Sequence, residues 1–179
     1  MRILVKSSIA WTLTALRLAV LPFLAYTFSI ENSIATSLLF LFAISTDLLD
    51  GYVARRLNVQ STQGVYFDAI VDYIFISGMF FVFINHGFYP AWLLVLIGLV
   101  FLQFLLTSVF LKSLFDPVGK YYGSLLFGAV GLTLLFSGSQ FYGLITLCIV
   151  FVTSLSLISR IAYLFYFHSK SRKTEQGEV

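Results

Sequence analysis

Residues 64–85 read GVYFDAIVDYIFISGMFFVFIN, an apolar run in which Asp68 and Asp72 are the only charged residues. A membrane-crossing β-strand needs about 9–11 residues and alternates apolar with polar, whereas a spanning helix needs about 20. This run does not alternate and is long enough for the second. It therefore reads as a membrane helix. Working outward, five more runs of the same character cover 9–29, 33–57, 90–111, 119–137 and 141–167. The breaks between the six are short and rich in turn residues: Glu31-Asn32-Ser33, Asn58 to Gln63, Asn85-His86-Gly87, Asp116-Pro117 and Ser137-Gly138-Ser139.

Composition agrees. Of 179 residues, 59% are hydrophobic and 11% charged, and the mean hydropathy is +0.95. Soluble domains carry about 25% charged residues, so this chain lacks the polar surface it would need in water. A soluble enzyme, a secreted disulfide scaffold and a disordered chain are excluded. The single Cys148 can make no internal disulfide. The expected fold is an all-α integral membrane bundle of six transmembrane helices, with residues 1–168 as one domain and 169–179 as a water-exposed tail. Arg17 interrupts the first run and no small-residue cleavage site follows it, so that segment reads as a retained helix.

Basic residues set the orientation. Arg2 and Lys6 precede the first run, Arg55 and Arg56 close the second, Lys112 and Lys120 bracket the fourth connection, and Lys170, Arg172 and Lys173 follow the sixth. The three alternate connections carry no Lys or Arg. Both termini are therefore expected on the cytoplasmic side of a cytoplasmic or inner membrane. No nucleic-acid partner is expected.

Four of the eight acidic residues fall within 26 positions: Asp47, Asp50, Asp68 and Asp72. Each intramembrane carboxylate costs a few kcal/mol unless paired or ligated. Asp47 and Asp50 are three apart and Asp68 and Asp72 four apart, so each pair shares a helix face. The two helices are joined by a short loop, so the four acids can converge near the cytoplasmic ends. Oxygen donors of this kind suit Mg²⁺, Mn²⁺ or Ca²⁺. The alternative is a structural ion-pair cluster, for which Arg17, Arg55 and Arg56 are the nearby cations. Gly51, Ala54 and Gly64 flank the acids. Such small residues serve helix packing, or leave room for a base or diphosphate beside a metal. Arg55 is placed to meet phosphate oxygens.

In full, Asp47-Leu-Leu-Asp50-Gly51-Tyr-Val-Ala54-Arg55, then eight residues, then Gly64-Val-Tyr-Phe-Asp68-Ala-Ile-Val-Asp72 resembles the signature of the CDP-alcohol phosphotransferase family, D-x2-D-G-x2-A-R-x8-G-x3-D-x3-D, at every defined position. The resemblance implies transfer of a phosphatidyl-type group from a CDP-linked lipid, ester or ether, to an alcohol, with release of CMP. It implies that Asp47, Asp50, Asp68 and Asp72 hold a pair of Mg²⁺ or Mn²⁺ ions, and that Asp72 is also the general base. It further implies that Gly51, Arg55 and Ser61 contact the CDP part, with Ala54 and Gly64 beside them, and that the protein is a homodimer in the lipid bilayer. Gly78 and Gly98 are positioned to let the third and fourth helices approach a partner.

The acceptor is read from weaker signals. Trp11-Thr-Leu13-Thr14-Ala-Leu-Arg17-Leu-Ala-Val-Leu-Pro22 is similar to the N-x-L-T-x-x-R-x4-P opening of the phosphatidylglycerophosphate synthase branch, with Trp11 in place of Asn. Gly119-Lys120 also resembles that branch, whereas Gln103-Phe104 stands where it commonly has Arg-Glu. Glycerol 3-phosphate is the favoured acceptor, with Lys120 and Arg17 as candidate contacts to its phosphate. Inositol phosphate, serine and phosphatidylglycerol are the alternatives. A cation-coupled transporter and a noncatalytic scaffold are the rival classes. Against a transporter stand the crowding of acids in one leaflet and the lack of an inverted repeat. Ser45 and Thr46 are expected to bond their own helix. Phe80-Phe81, Trp92 and Tyr121-Tyr122 are expected at span ends or facing lipid. His86 and His168 are expected at interfaces without metal-ligand company.

Overall fold

The computed structural model describes the backbone of residues 2–57, 62–111, 117–136 and 139–175, and side chains within 15–46, 48, 67–106, 122–136 and 141–159. Six helices follow in order: α1 (Arg2–Ser29), α2 (Ser33–Leu57), α3 (Thr62–Asn85), α4 (Trp92–Leu111), α5 (Pro117–Leu135) and α6 (Ser139–Glu175). Among the described residues there is no strand. Each apolar run is a helix. The last one continues to Glu175, past the expected end at 167, because nothing in the polar sequence after His168 breaks a helix.

Two of the turns show why the helices stop where they do. Glu31 closes α1 in the left-handed region with φ 57°. The amide of Asn32 donates to the Thr27 carbonyl (3.0 Å) and that of Glu31 to Phe28 (3.0 Å), which satisfies carbonyls that the helix end would leave open. Asn32 then caps α2: its Oδ1 accepts from the Ala35 amide at 3.1 Å. Gly87, φ 77°, repeats the device after α3, with Phe88 donating to Phe83 and Gly87 to Ile84.

α3 is the centre of the bundle, packing on α1, α4 and α5; α1 also packs on α2, and α6 on α4 and α5. Its Phe75, Met79, Phe80 and Phe83 are fully buried, together with Leu24 of α1, Leu93 of α4 and Ile149 of α6. α1 and α3 run parallel. Leu21 lies against Gly78, and the Phe28 and Phe83 rings meet edge to face at 5.1 Å between centroids. A Cβ at Gly78 would stand 2.8 Å from Leu21 Cδ2, and one at Gly98 would stand 3.2 Å from the Tyr73 hydroxyl. Both glycines are thus used inside the chain, for α1 on α3 and α3 on α4. That corrects the expectation that they open a face to a partner.

Large apolar side chains also cover the outside: Phe23, Ile34, Leu38, Phe81, Val95, Leu99, Leu147, Phe151 and Ile158 are all exposed. So broad an apolar exterior is incompatible with water. The segments Phe67–Asn85 and Phe141–Ser159 are each long and apolar enough to cross a membrane. In lipid, the helices are held by close packing and interhelical hydrogen bonds rather than by exclusion of water. Polar groups are satisfied accordingly. The Ser45 and Thr46 hydroxyls donate to the Leu41 and Ala43 carbonyls at 2.8 and 2.7 Å, as expected. Phe81 and Trp92 face outward, but Phe80 and Tyr122 are buried. The expectation for Phe80 is corrected, since α3 is apolar on nearly every side and composition does not mark its inward face, while Tyr122 lies in the second turn of α5, near a span end as expected.

Candidate active site

α3 carries Asp68 and Asp72 one helical turn apart on one face, and both are half-buried. From α1, Arg17 forms an ion pair with Asp72, its Nη1 donating to Asp72 Oδ1. The partners sit in different surroundings: Arg17 is 1% exposed and the Asp72 side chain 38%. A lone buried guanidinium would carry a large desolvation cost, and the carboxylate offsets it. The ion-pair alternative is therefore realised for Asp72.

Asp72 also forms part of the wall of a cavity of about 150 Å³ between α3, α4 and α5. The rest of the wall is mainly apolar, including Ile76, Ile97, Val100, Phe101 and Leu126. Tyr73 stacks flat on Phe101, with centroids 3.9 Å apart and planes within 3°. Tyr122 closes another side, and its hydroxyl pairs with Thr153 Oγ1 at 2.9 Å. Thr153 Oγ1 donates its own proton to the Ile149 carbonyl (2.6 Å), so Tyr122 must be the donor in this pair.

The other candidate residues are placed only by their backbone. Asp47, Asp50, Gly51, Ala54 and Arg55 lie on the second half of α2, Gly64 in the first turn of α3 and Lys120 in the first turn of α5, and the side chains of all seven lie outside the described residues. Ser61 lies outside them altogether, as do the side chains of Arg160 and His168. Among the described residues no group of three or more His, Cys, Asp or Glu forms a metal centre. Asp68 and Asp72 supply the hard oxygen donors that a divalent cation of the Mg²⁺ type takes. The donor set fits such an ion. His86 is exposed, and its Nδ1 lies 2.9 Å from the Val82 carbonyl.

Over residues 7–166 the chain matches the family model of CDP-alcohol phosphatidyltransferase. The chain belongs to that family. Family membership together with the two long apolar helices points to an integral membrane protein, and the family is generally dependent on a divalent metal. Three curated relatives carry the name CDP-diacylglycerol–glycerol-3-phosphate 3-phosphatidyltransferase. The one from Rickettsia felis is 41% identical over 68 residues, covering 36% of this chain and 38% of the relative. That from Bacillus subtilis is 33% identical over 64 residues, covering 36% and 33%. That from Treponema pallidum is 38% identical over 112 residues, covering 51% and 52%. The chain thus spans about a third to a half of the length of these relatives. No solved structure matches it.

For a member of this family, two features of the site were not read from sequence, whereas the contact of Arg17 with Asp72 is the ion-pair alternative that the sequence offered. Phe104, noted only as a departure from the glycerophosphate branch, lines the cavity. Tyr122, expected at a span end or facing lipid, is one of its walls. The four-residue spacing of Asp72 and Ile76 along α3 offered one usable signal, since it puts both on one helix face.

Proposed function

We propose that this chain is a phospholipid-synthesising transferase that moves a phosphatidyl-type group from a CDP-linked lipid to an alcohol and releases CMP, with glycerol 3-phosphate as acceptor. The observation that carries the reading is the α3 pair, in which Asp68 and Asp72 share a face and Asp72 lines a half-open cavity between α3, α4 and α5. The names of the relatives support the acceptor.

In this reading the acceptor hydroxyl gives its proton to an Asp72 carboxylate oxygen as its own oxygen bonds to the lipid-side phosphorus. The diphosphate P–O bond breaks, and CMP leaves with that bond's electron pair. A base must lie within hydrogen-bond reach of the hydroxyl, and a carboxylate fixed on a central helix is suited to that. Asp47, Asp50, Asp68 and Asp72 would hold the metal. When bound, a divalent pair supplies charge neutralisation at the diphosphate and the leaving group. Gly51, Ala54, Arg55, Ser61 and Gly64 bind the CDP part, and Lys120 binds the acceptor phosphate.

Six spans with both termini and the acids on the cytoplasmic side follow from the basic residues at alternate connections. A homodimer is the assembly that the resemblance of the signature implies. Cross-linking in native membranes that yields only monomers counts against it.

The test is an acceptor screen on membranes with Mg²⁺ or Mn²⁺, reading CMP released from CDP-diacylglycerol. Release with glycerol 3-phosphate is expected, and Asp47→Asn, Asp50→Asn and Asp68→Asn should each abolish it. No release with glycerol 3-phosphate, inositol phosphate, serine, inositol or phosphatidylglycerol sinks the reading. Release with one of the others alone replaces the acceptor.

A further inference from the structure

We infer that Arg17 is a positioning residue for Asp72: its buried guanidinium holds the carboxylate at the wall of the α3–α4–α5 cavity. The inference rests on the proposed role of Asp72. Two observations separate this role from acceptor binding. Arg17 is 1% exposed while Asp72 is 38% exposed, and Asp72 lines the cavity whereas Arg17 does not. The guanidinium therefore reaches the carboxylate from the α1 side, and what occupies the cavity meets Asp72.

The surrounding packing fixes the pair. α1 and α3 are locked in parallel register by Leu21 seated on Gly78 and by Phe28 against Phe83, so both side chains leave rigid helices at matched heights. The contact runs from Arg17 Nη1 to Asp72 Oδ1, and such a charge-assisted bond is roughly twice as strong as one between neutral groups. Hydrogen-bonded partners of this kind orient metal-ligating carboxylates, and losing one typically costs about 10–100-fold in metal affinity or activity.

The experiment uses the full chain in lipid nanodiscs, with two readouts. Mn²⁺ binding is followed by electron paramagnetic resonance without substrates, and CMP release is followed with each substrate varied. Arg17→Gln should lower kcat by about 10–100-fold with both KM values near wild type, and should weaken Mn²⁺ binding about tenfold. In an Asp72→Asn background the same substitution should leave Mn²⁺ binding where Asp72→Asn alone puts it, because Arg17 acts through that carboxylate. Arg17→Lys keeps the charge without the fork and should fall between wild type and Gln; it carries the test if Arg17→Gln does not fold.

A rise in acceptor KM with kcat and Mn²⁺ binding unchanged would make Arg17 a substrate contact and overturn the inference. So would tighter Mn²⁺ binding in Arg17→Gln, which would make Arg17 a competing cation. An equal further loss in the Asp72→Asn background would assign it a general structural role. Wild-type Mn²⁺ binding and turnover in Asp72→Asn alone would instead sink the role of Asp72.

Discussion

Tyr122 and Thr153 join α5 to α6 beside the cavity, and their hydrogen-bond geometry predicts unequal costs for two nearly isosteric substitutions. Thr153 gives its proton to Ile149 at 2.6 Å and accepts from Tyr122 at 2.9 Å. Both residues are buried. Tyr122→Phe removes the donor and leaves Thr153 satisfied, so it loses only one interhelical hydrogen bond, about 0.6 kcal/mol on average in membrane proteins. Thr153→Val leaves the Tyr122 hydroxyl buried without its acceptor, which costs about 1–3 kcal/mol. With about 2–4 °C per kcal/mol for a chain of this size, Tyr122→Phe should lower Tm by about 1–2 °C and Thr153→Val by about 2–12 °C. The double variant replaces both groups with apolar ones of similar shape, so it should recover most of the larger loss. The assay is thermal unfolding of all four proteins in one detergent, followed by circular dichroism at several scan rates. A Thr153→Val loss no greater than that of Tyr122→Phe, or a double variant equal to the sum of the singles, refutes the assigned donor.

Further outcomes follow from other contacts. Glu31→Gly should stabilise by about 0.5–1 kcal/mol, since a left-handed residue with a Cβ costs roughly 1–2 kcal/mol and the entropy of glycine offsets part of the gain; an unchanged Tm counts against the strain. Gly131→Val should lower Tm, because a Cβ there stands 2.8 Å from Phe40 Cε1, a buried ring atom with little freedom to move. Lys120→Ala should raise KM for glycerol 3-phosphate far more than for the CDP-lipid; the reverse split would move Lys120 to the diphosphate. In the α3–α4 connection, burial pushes the Tyr89 phenol above its ordinary range, outweighing the hydrogen bond to Thr133. A folded-state value above the unfolded one gives stability that is complete below about pH 10 and lost as pH rises through the folded value. Wild type should therefore lose Tm relative to Tyr89→Phe as pH rises from about 9 to 11, and a relative gain would contradict the sign.

The α3 acids were legible because their relation is local. Residues four apart on a helix share a face whatever surrounds it, so Asp68 and Asp72 belong together before any tertiary contact is known. The helix ends were legible for the same reason: Asn32 and Gly87 act through hydrogen bonds to residues at most five positions away. Phe80 was misread because α3 is apolar around most of its circumference. In lipid the outward face can be as apolar as the inward one, so no polar stripe marks it.

What the sequence by itself determined is therefore what short-range spacing decides: six apolar helices, their turns, and a signature that places four acids on two neighbouring segments. Tertiary structure alone decided that Gly78 receives Leu21, that Arg17 meets Asp72 across 55 residues, and that α4 and α5 form a cavity beside that carboxylate. These depend on the shapes of side chains from different helices fitting together. Shape complementarity between distant segments has no period along the chain, so it becomes visible only when the helices are packed.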